Sequence, residues 1–314
     1  TISSTRLSYA MGEYKTILPF YFLSVIGTLI AEILAYFFIY VFVNNCVILK
    51  YPNFKLLLPV MGYSIIVVAL TERIPYIKIA VYFFISIIIA NYRNNAKKKI
   101  VKINSKIVKS IIKIGILFSA FFFGYGMFVR GSADELTLSE TIAAYVGAPI
   151  YGLNHYLQNP WGKNTEFGYY TLSGLHRTLN RFGAAYGIPR FHLDMFEYGN
   201  QLTSNIYTYL VLPIQDYGML LALFLRIPIG LLNGFFQTKM MLINMKNAGG
   251  IVVYIFTGIL FYCGLMAFCA DRYIEYLLTP QTFIKYTAFA WVVIKFFTRY
   301  QVYNVTTEGE KQHE

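Results

Sequence analysis

Long apolar blocks recur along this chain, and their length constrains the fold more than any other feature. They cover about residues 16–43, 54–70, 75–91, 111–129, 209–236, 250–270 and 284–297. A helix of about 20 apolar residues crosses the roughly 30 Å hydrocarbon core of a bilayer. Only 13% of the 314 residues are charged, against about 25% in soluble domains. A soluble helical protein would need more polar surface, so we predict an all-α, polytopic transmembrane helix bundle that forms one integral-membrane domain over residues 1–314.

The basic residues predict the orientation of this bundle. Eight Lys or Arg residues and no acid lie between Arg93 and Lys113, and lysines and isoleucines there recur every three or four positions. This spacing is typical of a basic amphipathic helix on an anionic membrane surface, and the excess of positive charge predicts a cytoplasmic location. The net charge of +12 therefore does not indicate nucleic-acid binding, since no aromatic residues beyond Tyr92 interleave with the lysines.

The longest interruption between apolar blocks, about residues 130–209, is predicted to be a large, mostly helical loop on the opposite, outer side. Between Gly131 and Ser204 it carries four Lys or Arg residues and six acids. A second outer loop is expected at about 271–283. The three cysteines lie in or beside apolar blocks, and no group of histidines has metal-ligand spacing. We therefore expect no disulfide, no metal site and no cofactor.

Arginines on the predicted outer face are the best candidates for ligand binding. A guanidinium group is planar and permanently charged, so it can hold a phosphate group through two parallel hydrogen bonds. Arg177 and Arg181 are four residues apart and would share one face of a helix. Any one of these arginines could instead be a solvated surface charge. The predicted phosphate-binding set is Arg6, Arg73, Arg177, Arg181 and Arg190.

Two ionisable residues lie near the middle of apolar blocks, Glu32 and Arg226. Charges at that depth are costly in a bilayer, and they are usually paired or functional. The alternative is that each side chain extends to the membrane surface. We predict that both face the interior of the bundle and pair with each other.

Three short motifs occur in a fixed order. Thr71-Glu72-Arg73 precedes an apolar run, Ala144-Tyr145-Val146 leads to Gly152-Leu153-Asn154, and Asn205-Ile206-Tyr207-Thr208 is followed by Asp216-Tyr217-Gly218. In order and spacing they resemble the Wzy-type polymerases of bacterial O-antigen and capsular polysaccharide, where similar motifs mark an arginine turn, the start of the large periplasmic loop and its return into the membrane. One departure is Leu221, where a second glycine often follows the aspartate–aromatic–glycine triplet.

The resemblance implies a GT-C-like glycosyltransferase in the bacterial inner membrane, with the large loop in the periplasm. Its substrates would be an undecaprenyl-pyrophosphate-linked glycan donor and a lipid-linked acceptor repeat unit. The flippase and chain-length regulator of the same pathway are candidate partners. The arginines would bind the pyrophosphate and stabilise its developing charge, and a side chain would accept the proton of the acceptor hydroxyl. The candidates for that base are His176, Asp194, Glu197 and Asp216.

Two main alternatives stay open, and a structural or assembly membrane protein is a third that only the composition supports. The related O-antigen ligases usually carry a histidine in the large loop, and this loop contains His155 and His176. A flippase or small-solute transporter is the alternative from a different class. It would place its charges along a path through the membrane, and only Glu32 and Arg226 support it.

Overall fold

The computed structural model describes residues 21–69, 74–97, 138–161, 166–187, 196–198, 202–204, 207–242, 248–268 and five shorter stretches between 272 and 296. These residues are helical apart from connecting turns and one short β-hairpin. The predicted features that lie outside them include Arg6, Arg73, Arg190, Asp194, the apolar block at 111–129 and residues 98–113 of the basic segment. The chain divides into two units. The first contains Thr1–Asp134, Gln237–Gly258 and Tyr286–Glu314, and the second contains Glu135–Phe236 and Ile259–Lys285.

Three helices begin the first unit. They are α1 (Tyr21–Asn44), α2 (Leu58–Ala69) and α3 (Ile74–Lys97). A π-helical turn extends α1 over Asn45–Leu49 and ends at Lys50, which has a left-handed φ of 59°. A 3-10 turn, Phe54–Leu57, leads into α2, and the Asn53 side chain caps it by accepting a hydrogen bond from the Lys55 amide at 3.1 Å. Helix α1 packs against both α2 and α3.

The second unit carries the shorter elements. Helix α4 (Leu138–Gln158) and helix α5 (Ser173–Asn180) precede an antiparallel hairpin of β1 (Phe196–Tyr198) and β2 (Leu202–Ser204). Then come α6 (Val211–Phe224), α7 (Arg226–Leu242), α8 (Ala248–Met266) and α9 (Arg272–Tyr276). The division between the units falls within α7 and α8. The described residues are otherwise helical, which confirms the all-α prediction for them apart from this short hairpin.

Within the described part of the chain, three helices are long and apolar enough to cross a membrane: Ile26–Leu49, Ile74–Asn94 and Gly249–Met266. They correspond to the first, third and sixth predicted spans. Val211–Phe224 and Arg226–Met241 pass the same test only as a pair, and they are bent by 57° where one span was predicted. Phe54–Val68 is apolar but shorter. The last predicted span is helical at its described positions.

Tyrosines dominate the core of the first unit, and their hydroxyl groups bond to the backbone of other helices. The rings of Tyr36 and Tyr82 stack with centroids 3.8 Å apart. Tyr82 donates to the carbonyl of Ile255 at 2.5 Å, and Tyr254 donates to the carbonyl of Tyr36 at 3.2 Å. Polar groups in apolar surroundings need such partners, so these bonds fix the register between α1, α3 and α8.

The core of the second unit forms where α4 meets the start of α6. Tyr156, Tyr207 and Val211 are buried there, and Trp161 packs against them. Tyr156 donates to Oε1 of Gln215 at 2.6 Å. Burial, helped by the nearby Tyr170 and Asp216, raises the pKa of Tyr156 to about 12. The phenol therefore stays neutral at physiological pH and keeps its donor proton for Gln215.

Candidate functional site

Helix α5 begins where the carboxylate of Asp216 holds the backbone. Oδ2 of Asp216 accepts from the amide of Tyr170 at 3.1 Å and from the amide of Thr171 at 2.7 Å. It also accepts the hydroxyl proton of Thr171 at 2.7 Å. Because that hydroxyl has only one proton, the 2.7 Å contact between Thr171 Oγ1 and the Tyr217 hydroxyl must use the proton of Tyr217. Asp216 was predicted as a candidate base, and here it anchors the turn that starts α5.

The buried face of α5 carries two polar atoms that lack a protein partner. Ser173 is 1% exposed and His176 is 5% exposed. Neither Ser173 Oγ nor His176 Nδ1 has a hydrogen-bond partner within the described part of the chain. Residues three apart lie on the same face of a helix, so both atoms belong to one side of α5. Buried polar atoms without partners are uncommon, and they indicate a position where a ligand group or water would bind.

A short strap, residues 181–187, covers His176. Its Tyr186 ring stacks on the His176 ring with centroids 4.6 Å apart and an interplanar angle of 9°. The Asn180 amide holds this tyrosine by accepting from its backbone N–H and donating to its carbonyl, both at 2.8 Å. The carboxylate of Glu166 accepts from the next amide, Gly187, at 2.9 Å. The strap is therefore fixed at its end by the last residue of α5 and by Glu166, which precedes that helix.

The exposed face of α5 carries the two predicted arginines. Arg177 and Arg181 are both exposed. Arg181 follows the last helical residue but keeps helical dihedral angles, with φ −71° and ψ −19°, so the two side chains share a face as predicted. Phe182 follows and is 84% exposed. Helix α5 thus carries two exposed arginines close to two buried polar atoms without protein partners, since Arg177 lies one turn from Ser173.

Close packing against Thr279 explains why α5 has a glycine at position 174. A Cβ atom at Gly174 would overlap the side chain of Thr279. The backbone of α5 therefore lies directly against this threonine, and a larger residue would push the helix away. The position of α5 is set at its start by Asp216 and along its back by Thr279.

Of the other predicted base candidates, Glu197 is exposed on β1 and Asp194 lies outside the described residues. His155, the other histidine of the large loop considered above, is partly buried in the last turn of α4. Among the described residues, no three His, Cys, Asp or Glu side chains are grouped in a way that could hold a metal ion. His176 is the buried base candidate, and its Nδ1 has no partner within the described residues.

Glu32 has a different cationic partner from the one predicted. It forms an ion pair with Lys78, with Oε1 3.0 Å from Nζ, and both residues are 7% exposed. Tyr36 donates to Glu32 Oε1 at 2.6 Å, and Tyr286 donates to Oε2 at 3.0 Å. Arg226 donates from Nη2 to the carbonyl of Tyr209 at 2.7 Å. The prediction of a Glu32–Arg226 pair is corrected by the Lys78 contact, because lysine on the adjacent α3 supplies the compensating charge.

Three residues at these sites were missed from the sequence. Lys78 lies in an apolar block, and the rule that singled out Glu32 also applies to it. Ser173 could have been found from its spacing of three residues to His176. No sequence pattern singled out Tyr186, because its contact with His176 depends on how the strap folds back onto α5.

Comparison with protein-family models, characterised proteins and solved structures gives no match for this chain.

Proposed function

We propose that this protein joins lipid-linked oligosaccharide repeat units into O-antigen or capsular polysaccharide, by periplasmic glycosyl transfer from undecaprenyl pyrophosphate. The observation that supports this most directly is the set of polar groups on helix α5. Arg177 and Arg181 are exposed, and the neighbouring Ser173 Oγ and His176 Nδ1 are buried without protein partners in the described residues. A diphosphate needs the first kind of group, and a sugar hydroxyl needs the second.

The proposed reaction breaks the bond between the donor sugar C1 and the diphosphate oxygen. A new bond forms between C1 and the acceptor hydroxyl oxygen, whose proton moves to His176. For this step the imidazole must be neutral, with Nδ1 unprotonated. The arginines stabilise the negative charge that develops on the leaving diphosphate. The proton can then pass from His176 to the released diphosphate, which restores the neutral ring.

Variants of α5 test this proposal in the source bacterium. The gene is deleted and complemented with wild type, Arg177→Ala, His176→Gln or Lys239→Ala, and the lengths of the surface polysaccharide are read on a gel. We expect the Arg177 and His176 variants to lose the ladder of long chains while single repeat units still reach the surface. Lys239→Ala is the matched control, since it removes a charge near the far end of α7, and it should keep the ladder. Full-length ladders from both α5 variants would refute the proposal.

An O-antigen ligase is the second candidate, and the unpartnered His176 Nδ1 favours it. The same gels distinguish the two functions. Loss of a ligase leaves long polymer on the lipid carrier and removes polymer from the outer glycolipid, whereas loss of a polymerase leaves single units on that glycolipid. A transporter of repeat units would instead leave no units at the surface, long or single.

A further inference from the structure

Tyr209 and Arg226 are in direct contact, although the 14-residue helix α6 lies between them. Arg226 Nη2 is 2.7 Å from the Tyr209 carbonyl oxygen, and the guanidinium carbon lies 4.3 Å above the centre of the Tyr209 ring. A straight helix of this length is about 21 Å long, which is far more than one arginine side chain can span. The chain must therefore turn back on itself within α6.

The turn lies at Gly218. Its φ of 77° and ψ of 169° are not helical, and this region of backbone space is essentially restricted to glycine. The residues before it face inward, since Val211 and Pro213 are buried. Most residues after it are exposed, as Leu220 at 74% and Phe224 at 63% show, while Ala222 is buried. Gly218 thus separates a half-helix that is buried or partly buried from one that exposes most of its apolar side chains.

We propose that α6 is a re-entrant hairpin, and that its tip, Asp216-Tyr217-Gly218, is the clamp that positions α5. The hairpin enters the membrane after Tyr209 and returns to the same side at Arg226. Helix α7 then makes the crossing with 17 residues, which is the lower limit of the roughly 17–25 residues that can span a bilayer. In this arrangement Asp216 is a positioning residue and not the base, and its importance for catalysis rests on the proposed function of α5.

The clamp is supported by contacts between the hairpin tip and the turn at residues 168–171, which precedes α5. Asp216 and Tyr217 both bond to Thr171. Gly168 has a φ of 67°, and a Cβ there would come within 2.8 Å of the Tyr217 hydroxyl and 2.6 Å of Leu172. The turn at 168–171 and the tip therefore interlock, so that a shift of one must move the other.

The clamp also sets the depth of the site. The first half of α6 has seven residues, 211–217, and rises about 10 Å. The tip therefore holds the start of α5 up to about 10 Å beneath the level of Tyr209.

Cysteine labelling tests the hairpin without using activity. In a background with Cys46, Cys263 and Cys269 replaced by Ala, single cysteines are placed by Leu210→Cys, Ile227→Cys or Lys239→Cys. Intact spheroplasts are treated with a membrane-impermeant maleimide. We expect the first two to be labelled in intact spheroplasts and Lys239→Cys only after permeabilisation. Labelling of Leu210→Cys and Ile227→Cys from opposite sides would overturn the hairpin.

The clamp is tested by a cross-link and by a pH profile. In the same background, Thr171→Cys with Asp216→Cys should form a disulfide on mild oxidation, detected by peptide mapping, and its absence would count against the clamp. Asp216→Asn keeps an acceptor oxygen, so it should slow polymerisation less than Asp216→Ala, for which we expect a loss of about tenfold or more. Both should keep the shape of the wild-type pH profile.

A pH profile that loses its acidic limb in Asp216→Asn would instead identify Asp216 as the base and refute the positioning role. If the purified wild-type protein does not polymerise repeat units at all, the proposed function fails. The labelling and cross-linking results would still decide whether the hairpin and its clamp exist.

Discussion

The Glu32–Lys78 ion pair offers the sharpest test of how the first unit is held together. Both charges lie inside apolar helices, and the carboxylate has three partners: Lys78, Tyr36 and Tyr286. Lys78→Met removes the positive charge and leaves a carboxylate supported only by two hydroxyl donors. Glu32→Gln removes the negative charge but keeps an oxygen that can accept from Tyr36.

The expected loss in the free energy of unfolding follows from the burial of Glu32 and Lys78. Each residue is only 7% exposed, so a charge left without its partner receives little help from water. Breaking a buried pair in this way costs about 3–5 kcal/mol. At about 2–4 °C per kcal/mol for a protein of this size class, each single substitution should lower the apparent Tm by roughly 10 °C.

The double variant Glu32→Gln with Lys78→Met distinguishes the effect of an uncompensated buried charge from the effect of a changed side-chain shape. It leaves no buried charge, and glutamine can still bond to both tyrosine hydroxyl groups. Replacing a complete buried pair by neutral groups is often close to neutral or stabilising. We therefore expect the double variant to be more stable than either single variant and within about 1 kcal/mol of the wild type.

The measurement is thermal unfolding of the four proteins in detergent, at one scan rate because such unfolding is often irreversible. The four values form a double-mutant cycle, which isolates the coupling between the two side chains. Two results would refute the reasoning. One is a pair of single variants with wild-type Tm, and the other is a double variant whose loss equals the sum of the two single losses.

Three further predictions concern packing and ionisation. Gly258→Ala should lower the apparent Tm, because its Cβ would overlap a buried tyrosine ring and overpacking costs about 1–3 kcal/mol; Gly249→Ala, which meets nothing within 4 Å, is the control and should not. Tyr186→Phe should keep the stack on His176 and retain activity, whereas Tyr186→Ala should slow polymerisation by about twofold to tenfold in proteoliposomes. Folding raises the pKa of Tyr156 from 10.0 to about 12. Its neutral phenol therefore stabilises the fold fully below about pH 10, and this contribution is lost as the pH rises through about 12. In unfolding measured against pH, the stability advantage of wild type over Tyr156→Phe should shrink across that range.

The helical frame was predictable because apolar length is a property of composition. The blocks that became Ile74–Asn94 and Gly249–Met266 needed no knowledge of their neighbours. The block at 209–236 shows the limit of this reasoning. Its composition fits one crossing, but a single glycine with φ 77° divides it. A hydropathy average over a window of about 20 residues does not reveal the backbone angle of one residue.

The candidate site was only partly predictable, for a related reason. The spacing of Arg177 and Arg181 was enough to place them on one face, because both belong to one continuous helical turn. The role of Asp216 depends on Thr171, 45 residues earlier in the chain, and no local pattern connects them. The partner of Glu32 was missed because the single lysine, Lys78, was read as part of an apolar block.

Buried polar groups in the two units differ in whether they have hydrogen-bond partners. In the first unit, Glu32 is bonded at both oxygens and compensated by Lys78, so its removal should change stability. In the second unit, Ser173 and His176 are less exposed than Glu32, but Ser173 Oγ and His176 Nδ1 have no partner within the described residues. A buried polar group without a hydrogen-bond partner lowers the stability of the fold. It gains a partner only when a ligand or water binds. Replacing His176 by Gln should therefore affect polymer formation far more than the apparent Tm, which is the opposite of the result expected for Lys78→Met.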